Sequence, residues 1–590
     1  MPDFKMTYRF GSINLTRWQL AVLLGTPVLV GVGIYFVNRA KSSDKKSRRR
    51  LTSSIETEDD ASNAVSSEST DAKNEEPHMT PIEVANSLKN MGNACYRKGK
   101  YDEAIAFYEQ AIANCPETNT TDMAIFYQNR AAAYEMLQKY ADVKEDCTHS
   151  IEYNPRYAKA YFRRAKAYEA TNQLRDCLDD ITATCILEMF QNNSTIVYAD
   201  RILQQTGRED AEKAMVNRVA ILPSQGFINI YLRSFVNDPV QNFVVPLSTM
   251  AEDADGFLRA RIALDKEEYY DIIPACTEEI ERSESESLFK SEALLLRGTF
   301  HLLSGNFEET HQDFNEIINS DIADIAIRQY AFIRRASLFI QLEQKTLGLA
   351  DYLQAEQLDP NNPDVYHQRA QVYILMDQLS EALVEFKKAV KLAPNHGMAL
   401  IQKCYAEYRQ SLLSQNHLRL ATVIDDFRVA IEKFPTCIEC YSLMAQVLTD
   451  QQQFLQADEY YAKALTLAPK HASLYVHRGI LYLQWKGDVD NAVQFMNRAI
   501  EIDDKCELAY ETLGTIEVQR GNLTKAIELF TMATKLAKTK AEMCHLFSLR
   551  NAAIAQVNVT TKLGIDMSTI STFAQINNQS FNPAPVNSTN

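Results

Sequence analysis

One short motif returns along most of this chain at intervals of 34 residues or slightly more. Each copy has a small residue, an aromatic residue or Met four positions later, and Ala three positions after that. At 590 residues the chain is too long for a single core, and a fixed period of this size indicates an assembly of repeated units. The clearest copies are DEAIAFYEQAI (102–112), EALVEFKKAV (381–390), QADEYYAKAL (456–465), NAVQFMNRAI (491–500) and KAIELFTMAT (525–534).

The period and the motif resemble the tetratricopeptide repeat (TPR), a helix–turn–helix unit. If the residue that opens the second-helix motif of each unit is taken as an index residue, the chain contains about eleven units. The steps between index residues are 34 to 41 residues, apart from one of 95, so the units form a block of three and a block of eight. The resemblance implies an all-α TPR superhelix whose first helices line a concave, peptide-binding groove without chemistry of its own. The index residues are Ala104, Val143, Cys177, Ile272, Thr310, Gly348, Ala382, Val423, Ala457, Ala492 and Ala526.

The segment 18–37 contains no charged residue and predicts one transmembrane helix. Twenty residues at about 1.5 Å rise span roughly 30 Å, the thickness of the bilayer core. Residues 38–50 carry a net charge of +6, against +2 for residues 1–17. The more basic flank usually stays in the cytosol, so we expect the N-terminus on the far side and the bulk of the chain in the cytosol. A cleaved signal peptide is the alternative, but the apolar run is long and no A-x-A site follows it.

The segment that follows the anchor changes from basic to rich in Ser, Thr, Asp and Glu. Such a composition cannot bury enough apolar surface to fold, which predicts a tether. A solenoid must also cover its apolar end, so we expect the amphipathic stretch 541–559 to cap the last unit. The predicted divisions are a tail (1–17), the anchor (18–37), a disordered linker (38–80), a first block (81–190), a helical connector (191–250), a second block (251–540), and a capping helix with a polar tail (541–590).

Composition excludes several classes of function. The net charge of −16 argues against nucleic acid as a partner. The eleven scattered cysteines indicate reduced cytosolic thiols, and the lone CxxC of Cys437 and Cys440 has no second pair of ligands for zinc. Motifs of metalloproteases, hydrolases, P-loop proteins and kinases are missing from the sequence. We therefore expect no enzyme, no metal and no cofactor.

Five polar residues recur on the first helices of the first block. Lys89 and Asn93 are four residues apart, as are Lys159 and Arg163, so each pair shares one helix face. Asn129 belongs to the unit between them. Stacked first helices would bring the five together, which suits two neighbouring carboxylates such as a C-terminal Asp. The alternative for such residues is a solvated helix surface.

These five positions resemble the dicarboxylate clamp of co-chaperones that bind Hsp70 and Hsp90, and all five match. The resemblance implies that Lys89, Asn93, Asn129, Lys159 and Arg163 bind the acidic EEVD-type C-terminus of a cytosolic chaperone. The second block shows no comparable motif. Two of its arginines, Arg369 and Arg478, either line its groove or extend along the outside of the stack.

The order of anchor, tether, three units, connector and eight units resembles the large TPR receptor of the mitochondrial outer-membrane translocase (the TOM complex), of the fungal type. The resemblance implies a single-pass outer-membrane receptor that docks Hsp70 and Hsp90 and binds precursors with internal signals, notably carriers. It would pass them to the import pore formed by other TOM subunits. A TPR co-chaperone tethered to another membrane, such as the endoplasmic reticulum, is the alternative, and homodimerisation is left open. A TPR isomerase or phosphatase is disfavoured because no length remains for its catalytic domain.

Overall fold

The computed structural model of the protein describes residues 80–245, 254–283 and 287–565. Across these ranges the chain forms α-helices and one short 3₁₀ turn, with no strand, which confirms the predicted all-α class. The predicted anchor at 18–37 lies outside them, as do most of the linker and the tail from residue 566. Among the helices so described, none combines the length and the hydropathy of a bilayer-spanning segment.

Three helical hairpins make up the first block. The first of them begins with a capping box, in which Thr80 and Glu83 each accept a hydrogen bond from the other's backbone N–H, and Pro81 occupies the first helical position. We call the N-terminal helix of each hairpin its first helix. The bounds are α1 (Pro81–Arg97), α2 (Tyr101–Asn114), α3 (Thr120–Met136), α4 (Tyr140–Tyr153), α5 (Ala158–Ala170) and α6 (Leu174–Leu187).

Eight further hairpins follow two helices of the connector, and one long helix ends the described chain. The connector helices are α7 (Asn193–Val216) and α8 (Gln225–Arg233). The hairpins are α9 (Gly256–Asp265) with α10 (Ile272–Ile280), α11 (Lys290–Ser304) with α12 (Phe307–Asn319), α13 (Ile325–Gln341) with α14 (Lys345–Leu358), α15 (Pro363–Leu375) with α16 (Leu379–Leu392), α17 (Gly397–Leu413) with α18 (His417–Lys433), α19 (Ile438–Asp450) with α20 (Phe454–Leu467), α21 (Ala472–Lys486) with α22 (Val489–Ile502), and α23 (Glu507–Gln519) with α24 (Leu523–Leu536); the last helix is α25 (Lys540–Leu563).

The eleven index residues are all buried where the second helix of a hairpin packs on the first. Gly348 is the index residue with no side chain, and there is no room for one at its position. A Cβ added there would lie 2.9 Å from the Ile340 side chain and 3.0 Å from the Ala336 carbonyl oxygen. The period found in the sequence therefore marks a buried position on the second helix of every hairpin.

Every hairpin also turns through a residue with left-handed backbone, with φ between 53° and 81°. Only four of these residues are glycine, although this region of backbone is costly for other residues. The turn geometry is thus imposed by the packing of the two helices and not by the local sequence. The residues are Gly99, Gln138, Asn172, Glu267, Gly305, Glu343, Asp377, Gln415, Gln452, Gly487 and Gly521.

A buried ion pair joins the two helices in five hairpins. In each case an Arg of the first helix binds an acid sixteen residues later on the second helix, and the acid is largely shielded from solvent. An Arg fork that binds one carboxylate fixes the relative position of two helices more strictly than apolar contact does. The pairs are Arg130–Asp146, Arg164–Asp180, Arg297–Asp313, Arg335–Asp351 and Arg369–Glu385.

Arg369 and Arg478 are therefore engaged inside the stack. Arg369 binds Glu356 as well as Glu385, with 2.8 Å between the charged atoms in both cases. Arg478 binds Asp458 of the preceding hairpin at 2.6 Å. Neither arginine extends along the outside, and both hold neighbouring helices together.

The described residues divide into two compact units that differ from the predicted blocks. The smaller unit contains residues 80–211, 517–527 and 547–565, and the larger contains 212–516 and 528–546, apart from the undescribed gaps. Most of α7 thus belongs to the smaller unit, whereas α8 belongs to the larger.

The connector contributes to the core of the larger unit, which its lack of repeat pattern did not predict. Tyr231 of α8 is buried in the same apolar cluster as the first hairpins of that unit. Asp238, which follows α8, forms a fully buried ion pair with Arg334 of α13. The Asp364 carboxylate also accepts the backbone N–H of Val236 at 2.9–3.0 Å. This segment is therefore part of the folded unit.

The last helix packs against two parts of the chain that are far apart in sequence. Near its start, His545 lies 3.4 Å from Glu511 of α23. Further along, Ala555 and Val559 are buried among residues of the third hairpin of the first block. The second half of α25 therefore covers α5 and α6, a pairing that adjacency in sequence could not suggest.

Candidate functional site

Successive first helices touch one another in the first block, α1 against α3 and α3 against α5. Residues of the same face on these helices can therefore meet. This is the setting of the five-residue cluster predicted from the sequence (Lys89, Asn93, Asn129, Lys159 and Arg163).

The two asparagines are in contact. Asn129 Nδ2 lies 3.5 Å from Asn93 Oδ1, which also accepts a 2.7 Å hydrogen bond from the Tyr108 hydroxyl. Burial raises the pKa of Tyr108 to about 12, so this phenol remains a donor at neutral pH. Because the amide oxygen of Asn93 is engaged by two donors, what Asn93 can offer a ligand is its N–H groups.

Arg163 lies beside this pair. Its Nη1 donates to the backbone oxygen of Gln128, the residue before Asn129, at 3.1 Å. Burial raises the pKa of Tyr96 on α1, and the Arg163 charge opposes that rise, as expected for a guanidinium close to the phenol. The side chain is 20 % exposed. Arg163 is thus a half-buried cation on the face that α1, α3 and α5 share.

The two lysines lie at the margin of the cluster. They precede Asn93 and Arg163 by one helical turn, a rise of about 6 Å. Lys89 Nζ donates to Asn86 Oδ1 at 2.8 Å, and Lys159 is exposed. The structure thus puts Asn93 in contact with Asn129 and Arg163 on the backbone of the residue before Asn129, whereas Lys89 is partly buried and Lys159 exposed one turn earlier on α1 and α5.

An acidic residue also belongs to this site and was missed in the sequence. Glu135 Oε2 accepts a 2.8 Å hydrogen bond from Arg163 Nε, and its other oxygen lies 3.8 Å from Lys166. A ligand carboxylate is bound by cationic and amide groups, so an acidic residue is not expected among its partners. Glu135 is on the same first helix as Asn129, which is the signal that could have revealed it.

The second block presents a different set of groups on its first helices, which we call the polar row: Gln402, Gln446, His477 and Gln484. Each has at least one buried side-chain atom without a hydrogen-bond partner among the described residues, and in His477 both ring nitrogens are so placed. Buried polar groups normally have partners, so these atoms are exceptions to the usual pairing, and each is closed to solvent in this conformation.

The polar row is uncharged at neutral pH. Burial lowers the pKa of His477 to about 3, so its ring is neutral. Gln446 donates to Asp450 at 3.0 Å, and burial raises the pKa of that carboxyl to about 7. The row therefore offers hydrogen bonds with little fixed charge.

The tetratricopeptide repeat family matches residues 85–117, 363–396 and 443–505. Over 94 % of both chains, the sequence is 42 % identical to the human mitochondrial import receptor subunit TOM70. The chain belongs to the TOM70 family of mitochondrial import receptor subunits. The Saccharomyces cerevisiae TOM70 is 24 % identical over 80 % of each chain. The identities thus favour the mammalian form of TOM70 over the fungal form suggested by the sequence alone.

Solved structures with the same kind of repeat are also similar. The crystal structure of yeast Tom70 covers 81 % of this chain and 96 % of its own, with 23 % identity and a TM-score of 0.47. The first TPR domain of Spaghetti (RPAP3) bound to the HSP90 peptide SRMEEVD covers 21 % of this chain and 96 % of its own, with 32 % identity and a TM-score of 0.20.

Membership of the TOM70 family confirms three expectations. The chain is a TPR protein, it acts as an import receptor of the mitochondrion, and it is not an enzyme. The geometry must therefore be interpreted as binding surfaces for protein ligands and not as a catalytic centre.

Proposed function

We propose that the first block of this import receptor docks the acidic C-terminal tails of Hsp70 and Hsp90. The observation that carries the proposal is the contact of Asn93 with Asn129 beside the half-buried Arg163. Two amide donors and one guanidinium in one place match the two carboxylates of a C-terminal Asp. Lys89 and Lys159, one turn earlier on α1 and α5, would add long-range attraction for an acidic tail.

The direct test is binding of the heptapeptide SRMEEVD to the receptor by calorimetry. Arg163→Ala should cost about 1.5–3 kcal/mol of binding free energy, because a charge-assisted contact is lost. Arg201→Ala is the matched control, since Arg201 forms an Arg–Glu pair with Glu169 in the same unit but outside the cluster. Equal losses for the two variants, or none for Arg163→Ala, would remove the assignment.

We further propose that the second block binds precursor proteins with internal targeting signals, of the carrier type, and passes them to the import pore. The polar row supports this through its lack of fixed charge, because an uncharged row does not select precursors by the charge of their sequence. Two binding surfaces on one chain raise the effective concentration of a chaperone-delivered precursor without tight binding at either.

The test for the second block is capture of a carrier-type precursor in the absence of chaperone. Gln484→Leu, at the partly exposed member of the row, should weaken capture by roughly 2- to 10-fold, the effect of one lost hydrogen bond. Gln410→Leu on α17 is the control, because Gln410 donates to Ser380 and is not part of the polar row. Arg163→Ala should leave direct capture of the precursor unchanged. If this variant no longer captured the precursor, the two surfaces would not be independent.

The proposed setting is the mitochondrial outer membrane, with residues 18–37 as a single span and the N-terminus in the intermembrane space. The charge difference across this segment supports the orientation. A fluorescent reporter fused after residue 50 should label mitochondria and be removed by protease added to intact organelles. An endoplasmic-reticulum pattern would instead favour the tethered co-chaperone.

A further inference from the structure

We infer that Glu135 is a built-in competitor of the ligand at Arg163, and that it keeps chaperone-tail binding weak and rapidly reversible. The inference rests on the proposed function of the first block. It assigns a role to Glu135, which is not one of the five predicted cluster residues.

The contacts place Glu135 where a ligand carboxylate would bind. Arg163 Nε donates to Glu135 Oε2 at 2.8 Å, while Nη1 donates to the Gln128 backbone oxygen at 3.1 Å. A guanidinium grips a carboxylate most strongly through two parallel N–H groups. A carboxylate that binds the side edge of the guanidinium accepts from Nε and Nη2. A ligand bound in this bidentate way must displace Glu135 from Nε.

Charge acts in the same direction as geometry. The Glu135 side chain is 27 % exposed and Arg163 is 20 % exposed, so water screens this pair incompletely. A ligand carboxylate that approaches Arg163 is repelled by the Glu135 carboxylate beside it. The acid therefore lowers the affinity whether it is displaced or stays in place.

Glu135→Gln separates this role from a merely supporting one. The amide oxygen of Gln can still accept the Arg163 Nε–H, so the guanidinium keeps its position while the competing charge is removed. A positioning residue would leave affinity unchanged or lower in this variant, whereas a competitor predicts tighter binding. The gain must also depend on Arg163.

The experiment measures SRMEEVD binding to the full-length receptor in detergent micelles, at low and high salt. Glu135→Gln should bind about fivefold more tightly than wild type at low salt, with a steeper salt dependence. Glu169→Gln is the matched control, because it removes the same charge in the same compact unit. Glu169 is 31 % exposed and pairs with Arg201. The control should bind like wild type, and Glu135→Gln in an Arg163→Ala background should give no gain.

Three results would overturn the inference: Glu135→Gln binding no more tightly than wild type, an equal gain in Glu169→Gln, or a gain that persists without Arg163. Thermal unfolding of each variant shows whether it is folded. Failure of the proposed function itself looks different, because wild type and every variant would then lack salt-sensitive binding of the peptide.

Discussion

The two blocks use the same hairpin to present opposite chemistry on their first helices. In the first block, Arg163 is a half-buried cation next to two amides, and a carboxylate is already paired with it. In the second block, Gln446 and His477 are neutral and buried, with polar atoms that have no partner in the described chain. The hairpin scaffold depends on index residues, turns and the buried arginines of the ion pairs, so other first-helix side chains can change without loss of the fold. A charged cluster and a nearly uncharged row can thus share one architecture.

The largest expected difference is between the stability effects of replacing two adjacent arginines, Arg164 of the scaffold and Arg163 of the proposed ligand site. Arg164 is 6 % exposed and binds Asp180 through two hydrogen bonds of 2.6 and 2.8 Å, whereas Arg163 belongs to the cluster. Arg164→Ala should destabilise the smaller unit by about 3–5 kcal/mol, because it leaves a buried carboxylate unpaired. Chemical denaturation followed by circular dichroism measures this change.

Arg163→Ala is the control for that comparison and should shift the unfolding midpoint far less than Arg164→Ala. A large stability loss for Arg163→Ala would contradict the view that Arg164 stabilises the fold and Arg163 does not. It would make Arg163 a structural group instead of a group reserved for the ligand.

Acid should affect the second block more than the first. The pKa of His477 falls to about 3 in the folded protein, from an ordinary value near 6.5, so only the unfolded state binds a proton between those values. Stability is therefore complete above pH 6.5 and is lost as the pH falls below it, by about 1.4 kcal/mol per pH unit. His477→Gln should remove roughly 2 kcal/mol of the loss between pH 7 and pH 5.

Unfolding midpoints at several pH values measure this effect. His149→Gln is the control, because His149 is exposed in the first block beside Glu152. Identical pH profiles for wild type and His477→Gln would show that the ring is not held neutral by burial. Asp450 acts in the opposite sense, since its raised pKa stabilises the fold on acidification, so the variant comparison is more informative than the wild-type profile alone.

The sequence was most informative where structure repeats and least informative where it does not. The eleven index residues follow from one spacing rule, and all are buried. The cluster of Asn93, Asn129 and Arg163 could be predicted because helix position fixes which residues share a face. In contrast, the pair of Arg334 with Asp238 joins residues 96 positions apart, outside any period.

The polar row and Glu135 were missed for a related reason. Gln, His and Glu are ordinary on an exposed helix surface, and only packing shows whether they are buried. The same limit applied to α25, whose second half packs against helices several hundred residues earlier. The local sequence pattern determines each hairpin. The residues that pack on the faces of a hairpin depend on contacts between segments that are far apart in sequence.

The smallest expected effect is a gain in stability from Gly at a left-handed turn residue. It tests whether the hairpins of the two blocks have the same turn geometry. Gln138 in the first block and Gln452 in the second are both exposed, with φ of 57° and 61°. Replacing either by Gly should stabilise its own unit by about 0.5–1 kcal/mol, because Gly adopts this backbone without a steric cost. Gln451→Gly is the control in the same turn, where φ is −86° and Gly should bring only an entropic penalty. Equal gains at both sites, measured by thermal unfolding, are expected if the scaffold is the same in both blocks, and a gain at only one site would show that the hairpins differ where their index residues do not.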